Sequence, residues 1–327
     1  MEQKLIEFVS NQLKLYCDRF PVLGRKVDTI YFGGGSPSCV SEGLLYEIIR
    51  LLARYFDLSS VKECSIEVNP GDVSLSKIKA WNEIGVNRVS VGVQSFNDRI
   101  LSILGRNHGC KENFQALDVL SEVFDRLSVD LIFAVPGQEI EDWNRDLEIF
   151  YRRFSNRIDH ISIYSLTIEK NTEFYLRYGD VDLSDVSRQM YEIADRNLAK
   201  MGFQWYEISN FARPGKECKH NLGYWTGAEY LGLGPSGWSF LNGIRFSMDW
   251  EGNIIEDRLN YGKASREKVV LCLRTREGVG EEDLLPDQLQ VLSDLGKRMG
   301  WVKRYGDRFV LTLLGRLFAD ELATYLI

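Results

Sequence analysis

Five segments of this chain share one layout: a short apolar run of β type that breaks, at its C-terminal end, into glycine and polar residues. They are Thr29-Ile-Tyr-Phe-Gly-Gly-Gly-Ser-Pro37, Ser65-Ile-Glu-Val-Asn-Pro70, Arg88-Val-Ser-Val-Gly-Val-Gln-Ser-Phe96, Val129-Asp-Leu-Ile-Phe-Ala-Val-Pro-Gly-Gln138 and His160-Ile-Ser-Ile-Tyr-Ser-Leu-Thr-Ile-Glu169. A sixth, Gln204-Trp-Tyr-Glu-Ile-Ser-Asn210, follows the same rule. Strands covered on both faces read as Val/Ile/Leu runs, and parallel α/β sheets keep their ligands at the strands' carboxyl ends. The polar residues therefore fall where an α/β barrel holds its ligand.

Between these runs lie stretches of helical period. Leu44-Leu45, Ile48-Ile49 and Leu51-Leu52 are one; Ile78, Trp81 and Ile84 before Gly85 are another. Phe114, Leu117, Leu120 and Val123 repeat the spacing, as do Met190, Ile193 and Leu198 before Met201-Gly202. Alternating strands and helices with short links predict a parallel sheet, and six such units curl towards a barrel or part-barrel. Residues 2–20 read as a helix placed before the first strand, which leaves the strand at Ile30–Phe32 on an uncovered edge. Near residue 265 the pattern changes to helix, helix (284–299), hairpin (301–312, turning at Gly306-Asp307) and a last helix (313–327), an order like a winged helix. The expected division is a barrel over residues 1–245 and a small α+β domain over 246–327.

A net charge of −7 argues against general nucleic-acid binding, which relies on Lys and Arg neutralising phosphates. No apolar stretch reaches about twenty residues and the opening lacks a basic secretory start, so a cytoplasmic protein is expected. Cys17, Cys39, Cys64, Cys110, Cys218 and Cys272 form no C-x-x-C or C-x-x-x-C pair, so no local zinc or iron–sulfur signature is present.

Gly33-Gly34-Gly35-Ser36 directly after a strand lets backbone N–H groups approach a ligand; one or two glycines would satisfy a plain tight turn. Glu67 and Asn69, then Gln94 and Ser95, end successive strands, and Asp130 interrupts an apolar one. Any one of these suits an internal hydrogen-bond network; together they favour a site for a polar small molecule, since stranded buried polar groups cost roughly 1–3 kcal/mol each. Arg106 is a surface charge or a partner for a carboxylate. His220, one of three histidines, stands in a Gly/Pro-bounded loop beside Tyr224 and Trp225. A lone histidine is most often structural, the reading taken for His160; an imidazole among those aromatics is also placed to ligate haem iron. Leu231-Gly-Leu-Gly-Pro-Ser-Gly237 is a further glycine loop.

The ordered set Tyr31-Phe-Gly-Gly-Gly-Ser-Pro37, Ile66-Glu-Val-Asn-Pro70, Val91-Gly-Val-Gln-Ser-Phe96, Leu104-Gly-Arg106, Asp130-Leu-Ile-Phe, Pro136-Gly-Gln138 with Trp143, Tyr206-Glu-Ile-Ser-Asn-Phe211 and His220-Asn-Leu-Gly-Tyr-Trp225 resembles the radical-SAM proteins of the oxygen-independent coproporphyrinogen III oxidase family. The last motif is similar to the family's haem-chaperone branch. The resemblance implies a partial (β/α)6 barrel of radical-SAM type, with Gly34, Gly35, Ser36, Glu67, Gln94, Arg106 and Asp130 lining an S-adenosylmethionine site and His220 as the haem-ligand candidate. Ser36 stands where the family usually has Thr, and Trp238 where the chaperone branch usually has His. The family opens with a strand and a C-x-x-x-C-x-x-C loop whose thiolates hold a [4Fe–4S] cluster; neither is in this sequence, so the chain reads as a member without its opening strand and cluster loop. The expected function is a haem-binding chaperone that inserts or traffics haem, with haem-accepting membrane enzymes as partners. The alternatives are a coproporphyrinogen III dehydrogenase of porphyrin biosynthesis and a degenerate paralogue that binds nothing.

Overall fold

The computed structural model describes residues 2–258 and 261–327. The chain forms two compact units. One comprises Met1–Ile30, Val40–Glu63 and Cys218–Ile327; the other comprises Tyr31–Cys39 and Cys64–Glu217. Among the described residues no helix is long and apolar enough to cross a membrane.

The second unit is organised by a sheet of seven strands: β1 (Thr29–Phe32), β2 (Glu63–Val68), β3 (Arg88–Gln94), β4 (Leu127–Phe133), β5 (His160–Ser165), β6 (Gln204–Glu207) and β7 (Asn210–Ala212), in the order β1-β2-β3-β4-β5-β7-β6. The unit boundary cuts β1 after Ile30 and β2 after Glu63. Strands β2 to β5 pair in parallel, and the sheet curls into a half-barrel. β1 is the edge strand, as expected, and all four of its residues are partly exposed.

The helices read from the sequence follow the strands they were predicted to follow, and one more, Ile140–Arg153, follows β4 without having been read there. Leu75–Glu83 buries Ile78 and Trp81 and is capped by the Ser74 hydroxyl, which accepts the Lys77 N–H at 3.3 Å. It ends before Gly85, whose φ of +87° suits only glycine without strain. Cys110–Val123 buries Ala116, Leu117 and Leu120. Ile140–Arg153 packs Trp143, Leu147 and Phe150 inward, and the Trp143 indole N–H donates to the Met190 carbonyl at 2.8 Å. Met190 lies in the helix Ser184–Lys200, so this bond ties two covering helices together.

The sixth run departs from expectation. Gln204 to Ala212 is a hairpin, β6 turning into β7, and β7 inserts antiparallel beside β5. The turn closes because the Glu207 carboxylate accepts the Ser209 N–H at 3.0 Å and also the Asn210 side-chain amide. Two polar side chains satisfying a two-residue reversal cost less than continuing a strand that would bury them unpaired.

In the first unit the amphipathic helix Glu2–Arg19, read correctly from its period, buries Phe8, Val9, Leu13 and Tyr16. Val9 and Leu13 meet Leu51 and Leu52 of the helix Glu42–Tyr55. Phe8 and Tyr16 join Phe20, Leu241, Phe246 and Met248. The last three lie on a three-stranded antiparallel sheet, β8 (Ser239–Leu241), β9 (Ile244–Met248) and β10 (Ile254–Arg258), unforeseen from the sequence. Beyond it, the helices Tyr261–Leu273 and Pro286–Met299 and the strands β11 (Val279–Gly280), β12 (Val302–Tyr305) and β13 (Arg308–Leu311) precede two short helices, Leu313–Leu317 and Ala319–Leu326, where one was expected.

Candidate functional site

Alternation along the parallel strands sorts their residues onto two faces. Ile66, Val68, Val89, Val91, Val129, Leu131, Ile161 and Ile163 occupy one and are buried there. The other face is polar. Glu67 stands opposite Ser90, Ser90 opposite Ser128, and Ser128 opposite His160, one row across four strands. The next row pairs Asp130 with Ser162, and Ser162 with Asn210. The inner face of the half-barrel is thus a continuous hydrogen-bonding surface.

Asp130 accepts the Ser90 hydroxyl at 3.0 and 3.1 Å and lies 3.4 Å from that of Ser128. Desolvation pushes its carboxyl up to about 6, against the hydrogen bonds from Ser162 and Ser90 and the nearby Arg88 charge, which favour the ionised form. Arg88 itself is buried at the foot of β3. The His160 imidazole pairs with the Ser128 hydroxyl at 2.7 Å and the Tyr206 phenol at 2.8 Å, and burial drives its pKa well below the ordinary value. It is the structural histidine the sequence suggested.

Glu67 closes the top of β2. Its carboxylate accepts the Tyr31 phenol at 2.9 Å and the Gly34 N–H at 3.1 Å, pinning the glycine loop to the sheet. Gly34, Gly35 and Ser36 all have positive φ, +69°, +55° and +61°, so the loop takes a left-handed path that a serine follows only under strain. A Cβ on Gly34 or Gly35 would meet nothing within 4 Å, so the loop's backbone is open on that side. Gln94 also has positive φ, +65°, beyond a register shift between Val91 and Gln94. Its side chain folds back over Gly92, where a Cβ would come within 2.8 Å of the amide nitrogen.

The sequence-predicted residues therefore divide. Gly34, Glu67, Gln94 and Asp130 share the polar face or its rim, with Gly35 and Ser36 continuing the same loop. Arg106 follows the helix Asp98–Ile103 beside His108, and its guanidinium, whose pKa burial lowers, makes no ion pair among those described. His220 belongs to the other unit, in the helix Lys219–Trp225. Its Nδ1 meets the Thr29 hydroxyl at 2.8 Å, its Nε2 meets the Tyr224 phenol at 2.9 Å, and its backbone N–H donates to the buried Glu63 carboxylate at 3.0 Å.

Residues 13–150 match the model of the radical SAM superfamily. The haem chaperone HemW of Lactococcus lactis is 36% identical over 270 residues, 78% of this chain and 70% of that protein. HemW of Mycobacterium tuberculosis is 31% identical over 323 residues, 92% of this chain and 81% of that one.

The chain belongs to the HemW family of radical-SAM proteins.

Its fold matches that of coproporphyrinogen III oxidase HemN from Escherichia coli, with a TM-score of 0.83 and 20% identity over 99% of this chain and 83% of that one. The radical-SAM family implies binding of S-adenosylmethionine and a [4Fe–4S] cluster. The open loop at Gly34–Gly35 and the acceptors Glu67 and Asp130 fit a cationic, hydroxyl-rich ligand such as S-adenosylmethionine. The thiols do not fit a cluster. Among the described residues no three His, Cys, Asp or Glu side chains are grouped to hold a metal. Cys39 donates to Asp72 at 3.0 Å, Cys110 starts a helix, and Cys218 is buried against Glu63 at 3.3 Å.

Sequence reading missed Arg88, Ser90, Ser128, Ser162 and Tyr31. A signal for the first four was present: each occupies the polar phase of a period-2 alternation that the isoleucines and valines obscure. Tyr31 had no such signal, since its role depends on the reach of its phenol to Glu67.

Proposed function

We propose that this chain is a haem chaperone: it binds haem through His220 and passes it to an acceptor, with membrane-bound haem enzymes the acceptor class and the cytoplasm its location. The observation that carries the reading is the anchorage of His220. A metal-ligating histidine needs one ring nitrogen fixed by a hydrogen bond so that the other faces the metal. Thr29 at Nδ1 supplies that bond, and Nε2 points along the helix to a phenol that is 36% exposed. The relatives named as haem chaperones, at 31% and 36% identity, support the same reading. The strand-end residues Gly34, Gly35, Ser36, Glu67, Gln94, Arg106 and Asp130 are the proposed S-adenosylmethionine cradle. Bound there, that cofactor would offer its amino and ribose hydroxyl donors to Glu67 and Asp130 and its carboxylate to Arg106.

Haemin titration of the purified chain, followed at the Soret band, tests the haem reading. His220→Ala is expected to weaken binding and change the spectrum. An unchanged affinity and spectrum would falsify the assignment.

A further inference from the structure

The helix Lys219–Trp225 carries a polar assembly. At its start, Glu63 is fully buried and accepts the N–H groups of Lys219 and His220 at 3.0 Å each, together with the Cys218 thiol. These bonds fix the backbone from which the His220 ring projects. The ring is then held from both sides, by Thr29 at Nδ1 and, one turn along the helix, by Tyr224 at Nε2. The two rings stand nearly perpendicular at 86°, with centroids 4.9 Å apart. Tyr224 is itself braced edge-on by Tyr230, centroids 4.6 Å apart.

A neutral imidazole has one N–H and one lone pair. With the proton on Nδ1 and donated to the Thr29 oxygen, Nε2 accepts the Tyr224 O–H. The lone pair that holds the phenol is then the one an iron atom would take. We propose that Tyr224 masks the ligating nitrogen of His220, and that Thr29 and Glu63 are positioning residues that keep Nε2 available either to the phenol or to haem iron. The inference rests on the reading of His220 as the haem ligand. The exchange is balanced: the O–H···Nε2 hydrogen bond breaks, the Fe–Nε2 bond forms, and the phenol keeps its proton. The device suits a carrier, because each haem bound must displace an internal competitor and each haem released is replaced by one.

The test is haemin titration of the whole chain and of His220→Ala, Tyr224→Phe, Thr29→Val and Thr29→Ser, with the imidazole nitrogen shifts of the haem-free protein read by NMR. Tyr224→Phe removes the competitor and keeps the ring, so haemin should bind about 2- to 12-fold tighter, the range of one net hydrogen bond, with the Soret band unmoved. Equal or weaker binding overturns the mask. Thr29→Val should weaken binding and Thr29→Ser restore it; a valine variant that binds like the parent overturns the role of Thr29. The NMR shifts should show a protonated Nδ1 and a bare Nε2, and the opposite tautomer overturns the proposal. If His220→Ala binds haemin as the parent does, the haem reading itself fails. If His220→Ala loses binding while Tyr224→Phe gains none, only the mask fails.

Discussion

A single carboxylate shows how the strained loop after β3 is kept in place. Asp146, 1% exposed, lies on the buried stripe of the helix Ile140–Arg153 and accepts the Ser95 hydroxyl at 2.7 Å and the Phe96 N–H at 2.8 Å. Asn113 holds the same loop from its other side, donating to the carbonyls of Val93 at 3.2 Å and Ser95 at 2.9 Å. Between these bonds Gln94 keeps its left-handed backbone. Burial pushes the Asp146 carboxyl up to about 7, against those two hydrogen bonds, with Asp142 adding to the rise and Arg145 opposing it. Its folded pKa therefore exceeds the unfolded value of about 3.8, so the folded state binds the proton more tightly. The stabilisation this supplies is complete below that lower value and is lost as pH climbs to about 7. Asp130, raised to about 6, contributes with the same sign. Urea midpoints measured from pH 4 to 8 should therefore fall with rising pH in this window, and Asp146→Asn should flatten the slope without abolishing it. An identical slope in the variant would remove Asp146 from the account. Asp146→Ala should instead cost roughly 1–3 kcal/mol for each donor it strands. The residue was legible in principle: a charge in phase with Trp143, Leu147 and Phe150 on an apolar stripe must have buried partners, although nothing in the sequence says which.

Elements were read more reliably than the faces they present. The first five strand runs, the opening helix and the helices at Leu75–Glu83 and Cys110–Val123 all stand where periodicity put them. What failed was local chemistry: the Glu207–Asn210 turn that folds the sixth run into a hairpin, and the register shift at the end of β3 that returns Gln94 over the inner face. Gly92 makes that return possible, and its part can be separated from stability. An added Cβ meets chiefly the mobile end of Gln94, at 2.8 Å, and otherwise only the Val68 carbonyl at an ordinary 3.7 Å. Alanine also orders the unfolded chain by about 0.4–1 kcal/mol relative to glycine. Gly92→Ala should therefore melt at or above the parent's temperature while its Gln94 amide is displaced and S-adenosylmethionine binds more weakly by calorimetry. A variant that loses stability, or one that binds the cofactor as the parent does, would show that Gln94 is not placed by this glycine.

For the whole molecule, the family could be read from motif order because its signature residues lie at strand ends, where a few backbone atoms and carboxylates decide what binds. The division into units was not legible, since it depends on segments far apart in the chain: Val40–Glu63 groups with Cys218–Ile327, and Tyr31–Cys39 with Cys64–Glu217. The same long-range arrangement determines the fate of the thiols. Each of Cys39, Cys110 and Cys218 carries its own carboxylate partner, Asp72, Asp98 and Glu63 respectively, and the pKa values of Cys39 and Cys110 are raised, the latter to about 12 by burial and then by Asp98. Cys39 and Cys110, held protonated in this way, are poor iron ligands, because the thiolate is the binding form. His220 is built differently, with its Nε2 held by a phenol that iron can displace. Anaerobic reconstitution of this chain with iron and sulfide should accordingly leave iron far below the about four atoms per chain of a [4Fe–4S] cluster, with no cluster signal by electron paramagnetic resonance after reduction. The same sample should still take up haemin. Full cluster loading would overturn the account of the thiols, and loss of haemin binding in the cluster-free protein would tie haem to a cluster instead of to His220.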